Sequence, residues 1–131
     1  MHLASYTVHG RTSFGVVTPA GVVDLGRRMA PYASVFDLLR GQALNEAEAA
    51  ACGAKADFRI EDVNWLPPVP APEKIVCIGV NYANRDAEVS GGAEGAKYPS
   101  MFFRAPDSLV GHEQPIVRPK VSEQLDYEGE I

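Results

Sequence analysis

Asp126, Glu128 and Glu130 alternate with Tyr127 and Gly129 in the stretch Leu125-Asp126-Tyr127-Glu128-Gly129-Glu130-Ile131. Apolar residues interleaved with acids suit a strand better than a helix. On a strand, alternate side chains share one face, about 6.5–7 Å apart. Three ionised carboxylates in such a row disfavour one another's ionisation. A divalent cation relieves that conflict, and carboxylate oxygens are the ligands magnesium, calcium and manganese prefer. The same row would also suit a solvated strand face.

Other reactive side chains are scattered. His112 stands in Gly111-His112-Glu113, a loop setting in which a lone histidine is usually solvated. His2 and His9 have no partner evident from spacing. Cys52 and Cys77 lie among small or apolar neighbours in no metal-like or CxxC pattern, which predicts buried free thiols in a reducing compartment. A net charge of −5 argues against a nucleic-acid or anionic-membrane surface, because a basic footprint is missing. The start, Met1-His2-Leu3-Ala4-Ser5-Tyr6, lacks a signal peptide's basic and apolar regions, and no stretch is long enough to span a bilayer. A cytoplasmic location is expected.

The elements that must position these groups divide at Pro67-Pro68-Val69-Pro70-Ala71-Pro72, a stiff extended connector. Before it, residues 1–69 form a small β-rich domain. Strands are predicted over His2–Val8, Thr12–Thr18 and Val22–Leu25, reversing at Gly10-Arg11 and Pro19-Ala20-Gly21 as an antiparallel meander. Ser34 caps a helix through Leu39 that Gly41 closes. Asn45 with Glu48 resembles a capping box for a second helix to Ala51, ended by Gly53. Phe58–Ile60 and Val63–Leu66 are short extended pieces, and Trp65 is a packing residue. After the connector, Lys74–Val80 and Pro99–Arg104 read as strands buried on both faces, with Cys77 in the core. Leu109–Gly111 and Pro115–Val117 are short extended pieces. The chain stops on a strand, and its second half, 70–131, has too few elements to enclose a core, so a fragment is expected.

Three motifs now stand in order: Lys74-Ile75-Val76-Cys77-Ile78-Gly79-Val80-Asn81-Tyr82, Pro99-Ser100-Met101-Phe102-Phe103-Arg104 and Leu125-Asp126-Tyr127-Glu128-Gly129-Glu130. Together they resemble the start of the catalytic domain of the fumarylacetoacetate hydrolase family, and residues 1–70 more loosely resemble its small N-terminal domain. The implied fold is α+β and mostly β, a small N-terminal β-meander with short helices followed by the first strands of a mixed β-roll. The resemblance implies Glu128 and Glu130 as ligands of Mg2+ (or Mn2+ or Ca2+), with Asp126 orienting a ligand or water. It implies that the ion acts as a Lewis acid on a small 2-oxo acid, which the enzyme hydrolyses, decarboxylates or isomerises in the catabolism of aromatic or related compounds.

A histidine and a glutamate three residues apart are usual on the lid after the Asn-Tyr turn. Glu88 matches the glutamate, but Arg85 stands where the histidine is expected, followed by Asp86. Arginine is protonated at every working pH and cannot serve as a base, so Arg85 is expected to hold a carboxylate while Glu88 or Asp86 handles the proton. Gly91-Gly92 would let such a lid close. Arg104 is expected to clamp a substrate carboxylate, Tyr82 to donate its hydroxyl to substrate or pack on its strand, and Asn81 to secure the turn. The resemblance also implies a homodimer. The competing expectation is a catalytically inactive or merely binding remnant, because efficient turnover requires a closed, shaped site.

Overall fold

Alternating apolar residues in Leu3–Val8 and Phe14–Val17 give two strands that hide different side chains on the two faces of one sheet. A computed structural model describes residues 1–79, 98 and 100–126. In it β1 (His2–Val8), β2 (Arg11–Thr18), β3 (Gly21–Asp24) and β4 (Asn64–Leu66) form an antiparallel sheet of order β3-β2-β1-β4. His9 (φ 49°) and Gly10 (φ 73°) make the two-residue turn between β1 and β2, whose left-handed backbone matches the strands' twist. Thr18 closes the next turn, its hydroxyl donating to the Gly21 carbonyl and accepting from the Ala20 amide.

One face of this sheet carries Phe14 and Val16 into a core with Leu25, Met29, Val35, Leu38, Ala43 and Ala47. Helices α1 (Val35–Arg40) and α2 (Leu44–Ala51) supply Val35, Leu38 and Ala47, and Ala43 lies just before α2. The Ser34 hydroxyl accepts the Asp37 amide at 3.1 Å, while the Asp37 carboxylate accepts from the Ala33 amide at 3.1 Å and the Ser34 hydroxyl at 2.9 Å. That reciprocal cap satisfies donors the helix start leaves over. Gly41 ends α1 for room rather than for backbone freedom, since its φ is −78° and a Cβ there would stand 2.7 Å from the Tyr32 ring.

The capping box expected at Asn45 does not form. Helix α2 begins at Leu44 behind Ala43, and no side chain caps it. The Ala43 amide bonds the Leu38 carbonyl, and Ala43 and Ala47 are buried together, so packing against α1 sets the start before Asn45 can cap it. Gly53, at φ 68°, follows the helix end as expected. The extended piece expected at Phe58–Ile60 is one bridge, Val22 to Phe58, followed by a 3-10 turn over Ile60–Asp62.

The other face buries Tyr6, Val8, Val22 and Val63, with Phe58 and Trp65 packed against them. The Trp65 ring lies edge-on to Tyr6, in the packing role expected of it. Gly15, central in β2, belongs to this face: a Cβ there would stand 2.2 Å from the Val23 carbonyl oxygen. Gly15→Ala is therefore expected to lower the unfolding free energy by about 2 kcal/mol, as crowding of a packed interior does. Urea denaturation followed by circular dichroism checks it, and an unchanged midpoint would contradict the close approach.

The chain divides into two units, residues 1–69 with 110–131, and residues 70–109. In the first, Gly111 crosses β4, and a Cβ on it would lie 2.1 Å from the Trp65 carbonyl oxygen. Residues 109–111 and 115–117, expected to be extended, lie outside regular structure. In the second, β5 (Ile75–Gly79) pairs antiparallel with β6 (Ser100–Arg104) in register from Ile75 opposite Arg104 to Gly79 opposite Ser100. Burial on both faces, expected for these strands, is not found. Val76, Ile78, Met101 and Phe103 share one face and are 50, 45, 63 and 67% exposed. Among the described residues the two strands pair only with each other, and a two-stranded ribbon has no second layer to bury either face. Cys77 is accordingly only half-buried, and Cys52 is exposed at the end of α2; both thiols are free, but neither is the buried thiol expected.

The described chain is mostly β with two short helices. No helix among the described residues is long and apolar enough to cross a membrane.

Candidate functional site

Of the residues singled out for chemistry, Arg104 falls within the described structure. Asn81, Tyr82, Arg85, Asp86, Glu88, Glu128 and Glu130 lie outside the described residues. Asp126 is exposed and outside regular structure, and His112 is exposed in a loop with its imidazole 3.7 Å from the Glu113 carboxylate. Among the described residues no three His, Cys, Asp or Glu side chains come together as a metal site.

Arg104 ends β6 on the face it shares with Ser100 and Phe102, opposite Ile75, Cys77 and Gly79 of β5. Its guanidinium carbon stands 5.1 Å from the centre of the Phe102 ring, within cation–π range. The side chain is exposed and, among the described residues, has no carboxylate partner. A planar guanidinium can take a planar anion, and a carboxylate fits its donors two at a time.

A second polar cluster was not anticipated from the sequence. Asp24 is fully buried at the end of β3, in a run, Val22-Val23-Asp24-Leu25, that otherwise reads as core. Its carboxylate accepts from the Ser13 hydroxyl at 2.8 Å and from Arg11 at 2.8 Å, with Arg27 at 3.4 Å. Its carbonyl accepts from Arg28, and its amide donates to Asp57, which also takes a 2.6 Å hydrogen bond from Arg28. Tyr6, directly across from Ser13, is wholly buried beside this cluster, and its hydroxyl has no hydrogen-bond partner among the described residues. Burial, reinforced by the Asp24 charge, pushes the phenol up to about 12, so it stays neutral in ordinary buffers. The only cue in the sequence is an aspartate inside an apolar run with Arg27-Arg28 just beyond it. The ions of this cluster are paired with one another.

Asp57 gives the cluster a pH signature. Burial alone would raise its carboxyl, but hydrogen bonds from Arg28 and the Asp24 amide, with the charges of Arg28 and Arg27, hold it below its ordinary 3.8. A carboxyl depressed in the fold stabilises the fold above its unfolded value, and that contribution is lost as the pH falls through the folded value. Denaturation at stepped pH is expected to show stability falling below about pH 4, and falling less steeply in Asp57→Asn. Equal slopes in the two proteins would refute the assignment.

Residues 74–131 match the family model described as fumarylacetoacetate (FAA) hydrolase C-terminal. The chain is 36% identical over 77 residues to the oxaloacetate tautomerase YisK of Bacillus subtilis, covering 56% of this chain and 25% of that protein. It is 33% identical over 114 residues to the mitochondrial oxaloacetate tautomerase Fahd2a of Rattus norvegicus, covering 85% of this chain and 36% of that one. A crystal structure assigned as an HpcE protein of Mycobacterium smegmatis superposes with a TM-score of 0.61 at 20% identity, over 88% of this chain and 40% of that one. That likeness establishes a shared fold. The chain thus spans about a quarter to a third of the length of these two tautomerases.

Proposed function

The chain belongs, over residues 74–131, to the fumarylacetoacetate hydrolase family, and from that premise we propose that it carries part of a metal-dependent enzyme for small 2-oxo acids, with keto–enol isomerisation of oxaloacetate as its reaction. The observation that carries this reading is the similarity to two oxaloacetate tautomerases, one of which aligns over 85% of the chain. Isomerisation is also the reaction that asks least of the unusual Arg85-Asp86-Ala87-Glu88 sequence. It moves one proton from C3 to the 2-oxo oxygen, breaks no carbon–carbon bond and activates no water, so the absence of a histidine at Arg85 is no obstacle.

In this reading Glu88 takes the C3 proton as general base. Arg85 and Arg104 neutralise substrate carboxylates, and Tyr82 donates a hydrogen bond. Glu128 and Glu130 would hold magnesium, whose hard, oxygen-seeking character suits carboxylate donors and leaves positions for substrate and water. When bound, the ion supplies Lewis acidity toward the adjacent oxygens of the 2-oxo acid. Hydrolysis or decarboxylation in aromatic catabolism would demand more: a positioned water, or cleavage of a carbon–carbon bond with a path for the carbon dioxide released. We place the protein in the cytoplasm as a homodimer.

The test follows the decay of the enol's ultraviolet absorbance on adding the chain to freshly dissolved oxaloacetate, with magnesium and with excess chelator. Acceleration over the buffer rate that chelation removes is the expected result. Acceleration indifferent to the chelator would overturn the metal's role. No acceleration under either condition would overturn the catalytic reading, and magnesium binding seen by calorimetry in that case would favour a binding remnant.

A further inference from the structure

The pairing of Arg104 with Phe102 carries an inference that rests on the reading of Arg104 as a carboxylate clamp. We infer that Phe102 is a positioning residue, its ring acting as the platform that fixes the Arg104 guanidinium with its hydrogen-bond donors turned outward. The two residues are neighbours on one face of β6, and the guanidinium lies 5.1 Å from the ring centre. Ring and guanidinium attract electrostatically, which restrains a long side chain that would otherwise sample many rotamers. A ring can do this without consuming any of arginine's five N–H donors, whereas a carboxylate partner would occupy them. Among the described residues no carboxylate does so.

The opposite strand makes room for the platform. Gly79 pairs with Ser100, and a Cβ on Gly79 would stand 2.7 Å from the Ser100 hydroxyl and 3.5 Å from the nearest carbon of the Phe102 ring. The bare backbone at Gly79 therefore lets the ring edge and the hydroxyl lie where they do. This gives the glycine of the Gly79-Val80-Asn81-Tyr82 motif a packing duty apart from any turn it serves.

The test uses the full chain labelled with nitrogen-15, as wild type, Phe102→Leu, Phe102→Tyr and Arg104→Gln. In the wild type the Arg104 Nε–Hε signal is expected to be shifted upfield by the ring, to keep that shift in Phe102→Tyr and to lose it in Phe102→Leu. Titration with oxaloacetate in the presence of magnesium then reads function. Arg104→Gln should weaken binding about tenfold or more, as loss of a charge-assisted pair does. Phe102→Leu should weaken it roughly two- to fivefold, the scale of an exposed cation–π contact, and Phe102→Tyr should restore it. Weak binding in Arg104→Gln beside unaltered binding in Phe102→Leu would overturn the platform and leave the clamp standing. Equal losses in the Leu and Tyr variants would reduce Phe102 to a packing residue. Unaltered binding in Arg104→Gln, or none in the wild type, would remove the clamp and the platform together.

Discussion

On the proposed function, Glu128→Ala and Glu130→Ala are each expected to abolish the magnesium-dependent turnover of oxaloacetate proposed above, by about a thousandfold or more. The magnitude follows from the chemistry assigned to the ion. Stabilising the charge that develops on a 2-oxo acid is worth several kcal/mol, and each 1.4 kcal/mol is about a factor of ten. Two carboxylates are a small ligand set for magnesium, which keeps several waters, so losing either one leaves little to hold it. Calorimetry should show the loss directly as weaker magnesium binding, and circular dichroism should show the fold intact. Rates equal to the wild type in either variant would sink the ligand assignment. Asp126→Asn is the useful contrast: an orienting residue changes affinity by about ten- to a hundredfold rather than eliminating it.

Asp24→Ala is expected to destabilise the first unit by about 3 kcal/mol, the low end for breaking a buried ion pair. The low end applies because Arg11 and Arg27 are each about half exposed and can regain water once their partner is gone. Ser13 cannot, because its hydroxyl is buried and donates to the lost carboxylate. Tyr6 already has an unpaired hydroxyl beside it, so the substitution would leave two orphaned groups in one place. Urea unfolding should show a lower midpoint with an unchanged slope. A midpoint within error of the wild type would mean the arginines, rather than the aspartate, are the indispensable members.

The meander was legible because two local signals agree there. Ala4, Tyr6 and Val8 alternate with polar residues, as do Phe14 and Val16 around Gly15, and Gly10 and Pro19-Ala20 mark where the chain must reverse, although the first turn is His9-Gly10 rather than the expected Gly10-Arg11. Helix α1 was legible through Ser34, while the Asp37 carboxylate that completes its cap shows only in the folded structure. The start of α2 was misread because Asn45 and Glu48 offer a local cap that burial of Ala43 and Ala47 overrides. The strands β5 and β6 were placed to within two residues, but their burial was not. An apolar run such as Ile75-Val76-Cys77-Ile78 states that a strand is fit for a core without stating what encloses it. The Asp24 cluster was invisible for a different reason: its members sit at 11, 13, 24, 27, 28 and 57, and only the folded sheet makes them neighbours. At the candidate site, motif order pointed to Arg104, while its contact with the Phe102 ring shows only in the folded ribbon.

The return of the chain to its first unit at Val110 bears on the order in which the protein can be completed. A ribosome releases residues in sequence, so the strip around Gly111 emerges only after the whole excursion 70–109, long after the Trp65 carbonyl it lies on. Bringing the ends of so long a loop together costs little more entropy than closing a loop half its length, about 0.6 kcal/mol. The delay is one of timing: during synthesis the Trp65 carbonyl lacks its Gly111 neighbour until the returning strip has emerged.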